Sequence, residues 1–106
     1  MVKAASLTAI AMLLAAVASP ANASTPAAYA AAARSATAAC RTASNLRNPI
    51  AHPAVSFSDA SAIDVMLITG TWRPAHMRGA ATTMLCQYDR RTKRAETVEA
   101  KGWRVR

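Results

Sequence analysis

This sequence contains few of the side chains from which catalytic sites are built. Its 106 residues include two cysteines, two histidines and five acidic residues. His52 lies in a proline-flanked connector and His76 in a loop, and neither has an acidic neighbour in sequence that would fix its tautomer. Because acid–base chemistry needs an oriented pair of groups, we expect no enzymatic activity and no catalytic residue. Proton transfer by His76 alone is the enzymatic alternative.

Glycine is equally scarce, and the potential metal ligands are scattered. The three glycines lie too far apart in the sequence to form a phosphate-binding loop. Cys40, His52, His76 and Cys86 could supply four ligands, but their spacing matches no pattern of structural zinc sites. The sequence therefore predicts neither a metal site nor a cofactor.

The N-terminal segment has the order of a secretory signal peptide. Lys3 supplies a positive charge, residues 4–17 are uncharged and mostly apolar, and Ala21-Asn22-Ala23 is a small-residue cleavage site. The apolar run is shorter than the ~20 residues of a comfortable transmembrane helix, although an uncleaved anchor is the alternative. We expect cleavage of residues 1–23, a periplasmic or secreted product, and no transmembrane segment in residues 24–106, which form a single small domain.

The two cysteines, Cys40 and Cys86, are predicted to form a disulfide. In an oxidising compartment, a cysteine pair in a small domain is usually bonded. The alternatives are a metal pair and a reactive thiol, and no C-x-x-C motif supports them. Closing a loop of 46 residues would stabilise the fold by ~4 kcal/mol in the chain-entropy description.

Residues 27–46 are predicted to form a helix. Thr25-Pro26 is a favourable start, with a hydroxyl at the N-cap and proline at the first helical position. Alanine dominates the segment, and Asn48-Pro49 should end it, because proline disfavours helical geometry in the preceding residue. A stripe of mostly small side chains should let the helix lie close to a sheet: Tyr29, Ala33, Ala36, Cys40 and Ala43.

Four strands are predicted after the helix and a connector at residues 50–53. A short strand at 54–58 precedes a central one at 65–72, whose residues are apolar, β-branched or aromatic. Residues 82–88 and 94–98 should form a hairpin. The fold class is therefore α+β, with one N-terminal helix packed on a four-stranded, mainly antiparallel sheet and one disulfide. Alternation assigns the following residues to the face that meets the helix: Met66, Ile68, Gly70, Trp72, Met84, Cys86 and Tyr88.

Three motifs give the chain a family resemblance: Ala39-Cys40-Arg41, Thr69-Gly70, and residues 85–89 followed by a basic turn. In these it resembles a loose group of small, uncharacterised exported proteins of Gram-negative bacteria. The resemblance covers most of the chain after residue 23 and implies a helix-plus-sheet fold with one helix-to-strand disulfide. It implies no activity and no site residues. Lys93 departs from the pattern, because such turns commonly hold glycine there.

One candidate binding loop runs from Trp72 to Gly79. It brings together an aromatic side chain, two guanidinium groups and an imidazole, from Trp72, Arg73, Arg78 and His76. Guanidinium groups bind carboxylates or phosphates through paired hydrogen bonds, and tryptophan adds a stacking surface. The alternative is that Trp72 closes the rim of the core while the arginines are simply solvated.

A second candidate surface is the basic C-terminal part of the chain. The protein has 13 Lys and Arg against five acidic residues, giving a formal charge of +8. A GC-rich genome favours arginine and alanine by codon usage alone, so the placement of the charges is more informative than their number. The alternative is a solubilising edge that prevents strand pairing. The candidate basic face comprises Arg90, Arg91, Lys93, Arg94, Lys101, Trp103 and Arg104.

These features predict an exported, non-enzymatic binding domain. The expected partner is an anionic envelope component, such as lipid headgroups or an acidic polymer, or else another exported protein. Nucleic acid is not expected, since an exported protein rarely meets it. The alternative function is inhibition of an exported hydrolase, with the loop of residues 73–79 inserted into its cleft.

Overall fold

The computed structural model describes residues 25–106, so the predicted signal peptide lies outside the described residues. One helix packs on an antiparallel sheet in which β1, β3, β4 and β5 lie side by side, and β2 pairs with the same edge of β3 as β1 does. A single 3-10 turn, Ala75–Met77, interrupts the connection between β3 and β4. The elements are α1 (Pro26–Ser44), β1 (Arg47–Ala51), β2 (Val55–Ser56), β3 (Ile63–Thr71), β4 (Ala81–Asp89) and β5 (Arg94–Glu99).

Helix α1 begins as predicted and ends slightly earlier. The side chain of Thr25 accepts a hydrogen bond from the backbone of Ala28 at 3.0 Å, and Pro26 occupies the first turn. At the other end, Asn45 adopts a left-handed conformation with φ of 53°, and its N–H donates to Thr42 O. Asparagine tolerates this conformation better than most residues, which is why the helix stops at Ser44 instead of reaching Leu46.

The sheet has five strands where the sequence predicts four, because β1 occupies part of the predicted connector. Its register against β3 shifts between Arg47 and Ile50, and Asn48 has a φ of 50°. This bulge lets Pro49 sit in an edge strand, where its missing N–H removes no essential ladder bond. The predicted strand at 54–58 shortens to β2.

Strands β3 and β4 are central, and their predicted facing is confirmed. Met66 lies opposite Cys86 and Ile68 opposite Met84, with these side chains buried against the helix. Trp72 is half-buried and packs against this core. The fully or nearly fully buried apolar residues are Ala36, Cys40, Leu46, Ala62, Met66, Ile68, Met84, Cys86 and Tyr88.

The disulfide predicted between Cys40 and Cys86 is present. Their Cα atoms are 5.8 Å apart, and both side chains are completely buried between α1 and β4. The bond lies near the centre of the contact between helix and sheet. It therefore fixes which face of β4 meets the helix.

The predicted apolar stripe of α1 is in contact with the sheet only in its C-terminal half. Ala36 and Cys40 are buried, and Ala43 is half-buried. Tyr29, by contrast, is 64% exposed, and Ala33 is also exposed. The first two turns and more of the helix consequently extend past the core.

Gly70 allows the chain leaving the helix to cross close over β3. A Cβ at this position would lie 2.8 Å from Arg47 O and 2.9 Å from Leu46 Cβ. Contacts that short are not tolerated without backbone movement. The sequence predicts close approach of the helix at Gly70, and the approaching backbone is in fact the segment immediately after it.

The β4–β5 hairpin closes without glycine. Asp89 Oδ1 accepts hydrogen bonds from the backbone N–H groups of Arg91 and Thr92 at 2.7 and 3.2 Å. Lys93 completes the turn in a left-handed conformation with φ of 61°, and its N–H donates to Asp89 O. The aspartate side chain thus stabilises a turn in which lysine occupies a glycine-like position.

Candidate functional site

Two of the four residues predicted for the binding loop have structural contacts. Trp72 packs against the core. Arg73 extends under the end of α1, where its Nε donates to Asn45 O and its Nη2 to Leu46 O, both at 3.1 Å. Basic groups at this position satisfy carbonyls that a helix end leaves unpaired and offset its partial negative charge. Arg73 therefore holds the turn from α1 into β1.

The other two residues, His76 and Arg78, are exposed on and just after the 3-10 turn. Arg78 has a φ of 54°, and its N–H donates to Ala75 O, so the backbone of the loop is fixed while its side chain faces solvent. Both side chains are therefore accessible to solvent.

Arg90, predicted as part of the basic face, forms a largely buried ion pair. Its Nη1 lies 2.5 Å from Asp64 Oδ1, and the Asp64 side chain is 7% exposed. Its Nη2 donates to the carbonyls of Phe57 and Ser58 at 3.1 and 3.2 Å. Arg90 thus ties the loop before β3 to the sheet instead of facing outward.

The end of the sheet that carries the β4–β5 turn, here called the turn end, has balanced charge. The guanidinium of Arg91 donates to Ala60 O, so it too binds the loop before β3. Lys93 and Arg94 are exposed there. The sheet and its loops place four cationic and four acidic residues in this part of the molecule: Arg90, Arg91, Lys93 and Arg94 with Asp59, Asp64, Asp89 and Glu96. One further cation, Arg34, is exposed on the N-terminal half of α1.

Nearly all of the excess positive charge lies at the opposite end. Helix α1 ends there, β3 ends at Thr71, β4 begins at Ala81, and the chain leaves β5 through Ala100. Glu99 is the one acidic residue that the described chain places at this end. Seven cationic residues lie at the same end and are called the basic end below: Arg41, Arg47, Arg73, Arg78, Lys101, Arg104 and Arg106.

Two separate shallow depressions at the basic end each hold two of these cations. Arg41 and Arg73 line one depression beside the end of α1. Arg104 and Arg106 line another with Thr69 and Thr83, because the C-terminal tail turns back across the sheet. The two ion pairs found within residues 25–106 both belong to Arg90, so they leave the basic end without a neutralising partner.

The structure therefore rearranges the two surfaces predicted from sequence. It joins the exposed part of the loop, His76 and Arg78, to the C-terminal residues Lys101 and Arg104. It separates these from Arg90, Arg91, Lys93 and Arg94, which lie beyond the six-residue length of β5, roughly 20 Å at ~3.3 Å per residue. Trp103 stays with the basic end and is 56% exposed.

One concave feature is not predicted by the sequence. The overhanging half of α1 and the segment around β2 enclose a cleft of about 660 Å³. Tyr29 and Phe57 line it, at 64% and 54% exposure, and Asp64 and Arg90 lie at its polar side. No local motif marks it, because it depends on how far α1 extends past the sheet.

No protein-family model, curated protein or solved structure matches this chain. Within residues 25–106, no helix combines the length and the apolar character needed to cross a membrane.

Proposed function

We propose that this chain is an exported, non-enzymatic domain that binds an anionic component of the cell envelope through its basic end. The observation that carries the proposal is the separation of charge along the sheet. Seven cations and one carboxylate lie at one end, while the turn end has balanced charge. Codon usage can raise the number of arginines, but it does not collect them on one side of a fold.

The physical basis is electrostatic attraction at close range. Each Lys or Arg near an anionic membrane surface contributes about 1 kcal/mol, and the attraction falls off within a Debye length of ~8–10 Å. A cluster of such groups is therefore needed, and the basic end supplies one. Trp103 adds an exposed aromatic ring of the kind that favours the boundary between water and an apolar phase.

Export is supported by two independent features. Residues 1–23 have the order of a signal peptide, and the Cys40–Cys86 disulfide is typical of an oxidising compartment. Anionic lipid headgroups and acidic polymers are the polyanions that such a protein meets. Both present the same chemistry to the basic end.

The test is co-sedimentation of the processed protein with vesicles of phosphatidylcholine alone or mixed with phosphatidylglycerol, and with an acidic polysaccharide. We expect binding to the anionic samples that weakens as salt increases. The variant Lys101→Glu/Arg104→Glu should lose it. Lys93→Glu/Arg94→Glu is the matched control, because it makes the same charge change at the turn end and should bind more strongly than the first variant.

Equal loss in both double variants would contradict the proposal, since it would show a dependence on net charge alone. Salt-insensitive binding to one exported hydrolase, lost on changing His76 and Arg78, would instead support the inhibitory alternative. Arg73 is unsuitable for either test, because its substitution would also remove the hydrogen bonds at the end of α1.

A further inference from the structure

Strand β3 has the composition of a strand that is covered on both faces. Residues Val65, Met66, Leu67 and Ile68 are consecutive apolar residues. An antiparallel strand with one face in water normally alternates apolar with polar residues, whereas a continuous apolar run is typical of burial on both sides. Helix α1 covers the even-numbered side chains only. The odd-numbered ones point to the opposite face of the sheet.

That opposite face, here called the open face, is apolar across several strands. The strand register places Leu67 beside Leu85, and Leu85 beside Val98. Val55 pairs with Val65 in the adjacent row. Val55 and Val98 are 64% and 56% exposed. Val65, Leu67 and Leu85 lie between them and are half-buried, so these residues form a continuous, partly exposed apolar surface. Such a surface marks an interaction site more often than scattered single residues do.

The polar groups around this apolar row differ in charge at its two sides. Toward the turn end, the next row contains Gln87 and the acidic Glu96, which lie opposite each other. Toward the basic end, the next row contains Thr69 and Thr83, and the tail residue Arg104 lies beside them. On the open face, the row toward the turn end therefore carries the carboxylate of Glu96, and the row after it holds Arg94 opposite Asp89. The row toward the basic end lies beside the guanidinium of Arg104.

We propose that the open face binds a second copy of this chain. The two-fold axis lies in the plane between the two faces and runs along the Leu67–Leu85–Val98 row. Rotation about this axis stacks the apolar row on itself and brings Glu96 of one protomer toward Arg104 of the other. Because Glu96 and Arg104 lie on opposite sides of the axis, this pair of charged groups is self-complementary under two-fold symmetry.

The size of the face sets the strength of the association. Four strands at ~4.8 Å and about six residues at ~3.3 Å give a footprint of roughly 20 × 20 Å. Two such footprints come to roughly 800 Å² in total, which is below the range of stable specific interfaces and in the range of weak, transient ones. The dimer is accordingly weak and its population depends on concentration.

The experiment is analytical ultracentrifugation of the oxidised protein, processed and purified from an export-competent host, over a wide concentration range. We expect a reversible monomer–dimer equilibrium. Val98→Lys should raise the dissociation constant at least about tenfold, because it places a charge in the contact. Val98 is more than half exposed, so the monomer should fold normally. Ala31→Lys, on the exposed half of α1, is the control and should change the constant little.

A charge-reversal cycle tests the predicted pairing of protomers. Glu96→Lys and Arg104→Glu should each weaken the dimer, and the double variant should recover most of the loss, because both ends of the pair are then reversed. A monomer at every concentration, or a double variant no tighter than the singles, would overturn the proposal. A monomer that binds phosphatidylcholine vesicles through Val98 would also overturn it and assign the face to lipid. The ultracentrifugation samples contain no anionic ligand, so their outcome is independent of the proposed function.

Discussion

Lys93 occupies a backbone conformation that costs free energy for any residue with a side chain. Its φ of 61° lies in the left-handed region, where Cβ crowds the neighbouring carbonyl. Glycine has no such penalty, although it loses more entropy on folding. We expect Lys93→Gly to raise the free energy of unfolding by about 0.5–1 kcal/mol, measured by urea denaturation of the oxidised protein.

Thr92→Gly provides the control for this prediction. Thr92 lies in the same turn and is not among the residues with positive φ in the described chain. Glycine there should only add entropy to the unfolded state and lower stability. If both glycine variants shifted the urea midpoint in the same direction, the effect would come from the flexibility of the turn and not from the conformation of Lys93.

Arg90 contacts one buried and one exposed carboxylate. The effect of burial on the stabilisation by an ion pair can therefore be measured on a single guanidinium group. Asp64 is 7% exposed on its side chain and lies 2.5 Å away, whereas Asp59 is fully exposed and lies 3.5 Å away. Removing one partner of a buried pair leaves an uncompensated charge and typically costs 3–5 kcal/mol.

We therefore expect Asp64→Ala to lower the unfolding free energy by about 3 kcal/mol, toward the lower limit for buried pairs because Arg90 keeps its carbonyl contacts. Asp59→Ala should have no measurable effect, as for most exposed pairs. Thermal denaturation of both variants at matched pH would decide the matter. Similar losses in the two would mean that the loop conformation, and not burial of the pair, determines the contribution.

The contacts of individual arginine side chains are the feature that the sequence predicts least well. Arg73, Arg90 and Arg91 all direct guanidinium groups to backbone carbonyls of segments at least 27 positions away. Nothing in the neighbouring sequence distinguishes them from Arg78 or Arg104. The difference arises only when the fold brings unpaired carbonyls within reach.

The contact between α1 and the sheet depends heavily on the Cys40–Cys86 disulfide. The helix buries few side chains, and those are small. Closing 46 residues of chain should contribute ~4 kcal/mol, a large part of the 5–15 kcal/mol typical of whole domains. We expect Cys40→Ala/Cys86→Ala to lose most of its stability, with early loss of helical circular dichroism on heating.

Amide hydrogen exchange on the same double variant would show which element loses stability first. Amides of α1 should lose protection first, while the β3–β4 pair retains more, because its ladder is the longest in the described sheet. Uniform loss across helix and sheet would indicate that the bond stabilises the domain as a single cooperative unit.

The sequence predicts the central strands of the sheet well and the edge strand β1 poorly. Side-chain alternation along β4 places the residues on the side of Cys86 against the helix, since side chains in a strand repeat every two residues. Pairing of β3 with β4 then gives the facing of β3. Strand β1 was missed because Asn48 and Pro49 normally end regular structure. The bulge that accommodates them forms only because β3 offers an unpaired edge directly beside the end of α1.

For the whole molecule, the distribution of charge is a property of topology. Lys101 and Arg78 are distant in sequence from Arg41, yet antiparallel pairing brings the segments that carry them to the same end of the sheet. Sequence order instead groups Lys101 with Arg94, which the length of β5 separates. The sequence therefore predicts a basic face that includes Lys101 and Arg104, but it does not show which of its cations lie at the same end of the fold.

This asymmetry should destabilise the folded protein at low ionic strength. Like charges at the basic end repel one another more strongly when folding concentrates them, and salt screens that repulsion over ~10 Å at 0.1 M. We expect the melting temperature to rise by a few degrees between low and moderate sodium chloride, corresponding to up to ~1 kcal/mol for a domain of this size. Lys101→Glu/Arg104→Glu should flatten the increase, because it removes the repulsion at its source. Lys93→Glu/Arg94→Glu should leave more of the increase in melting temperature, since the turn end already has balanced charge. An equal salt response in both variants would show that net charge, and not its placement in the fold, governs the repulsion.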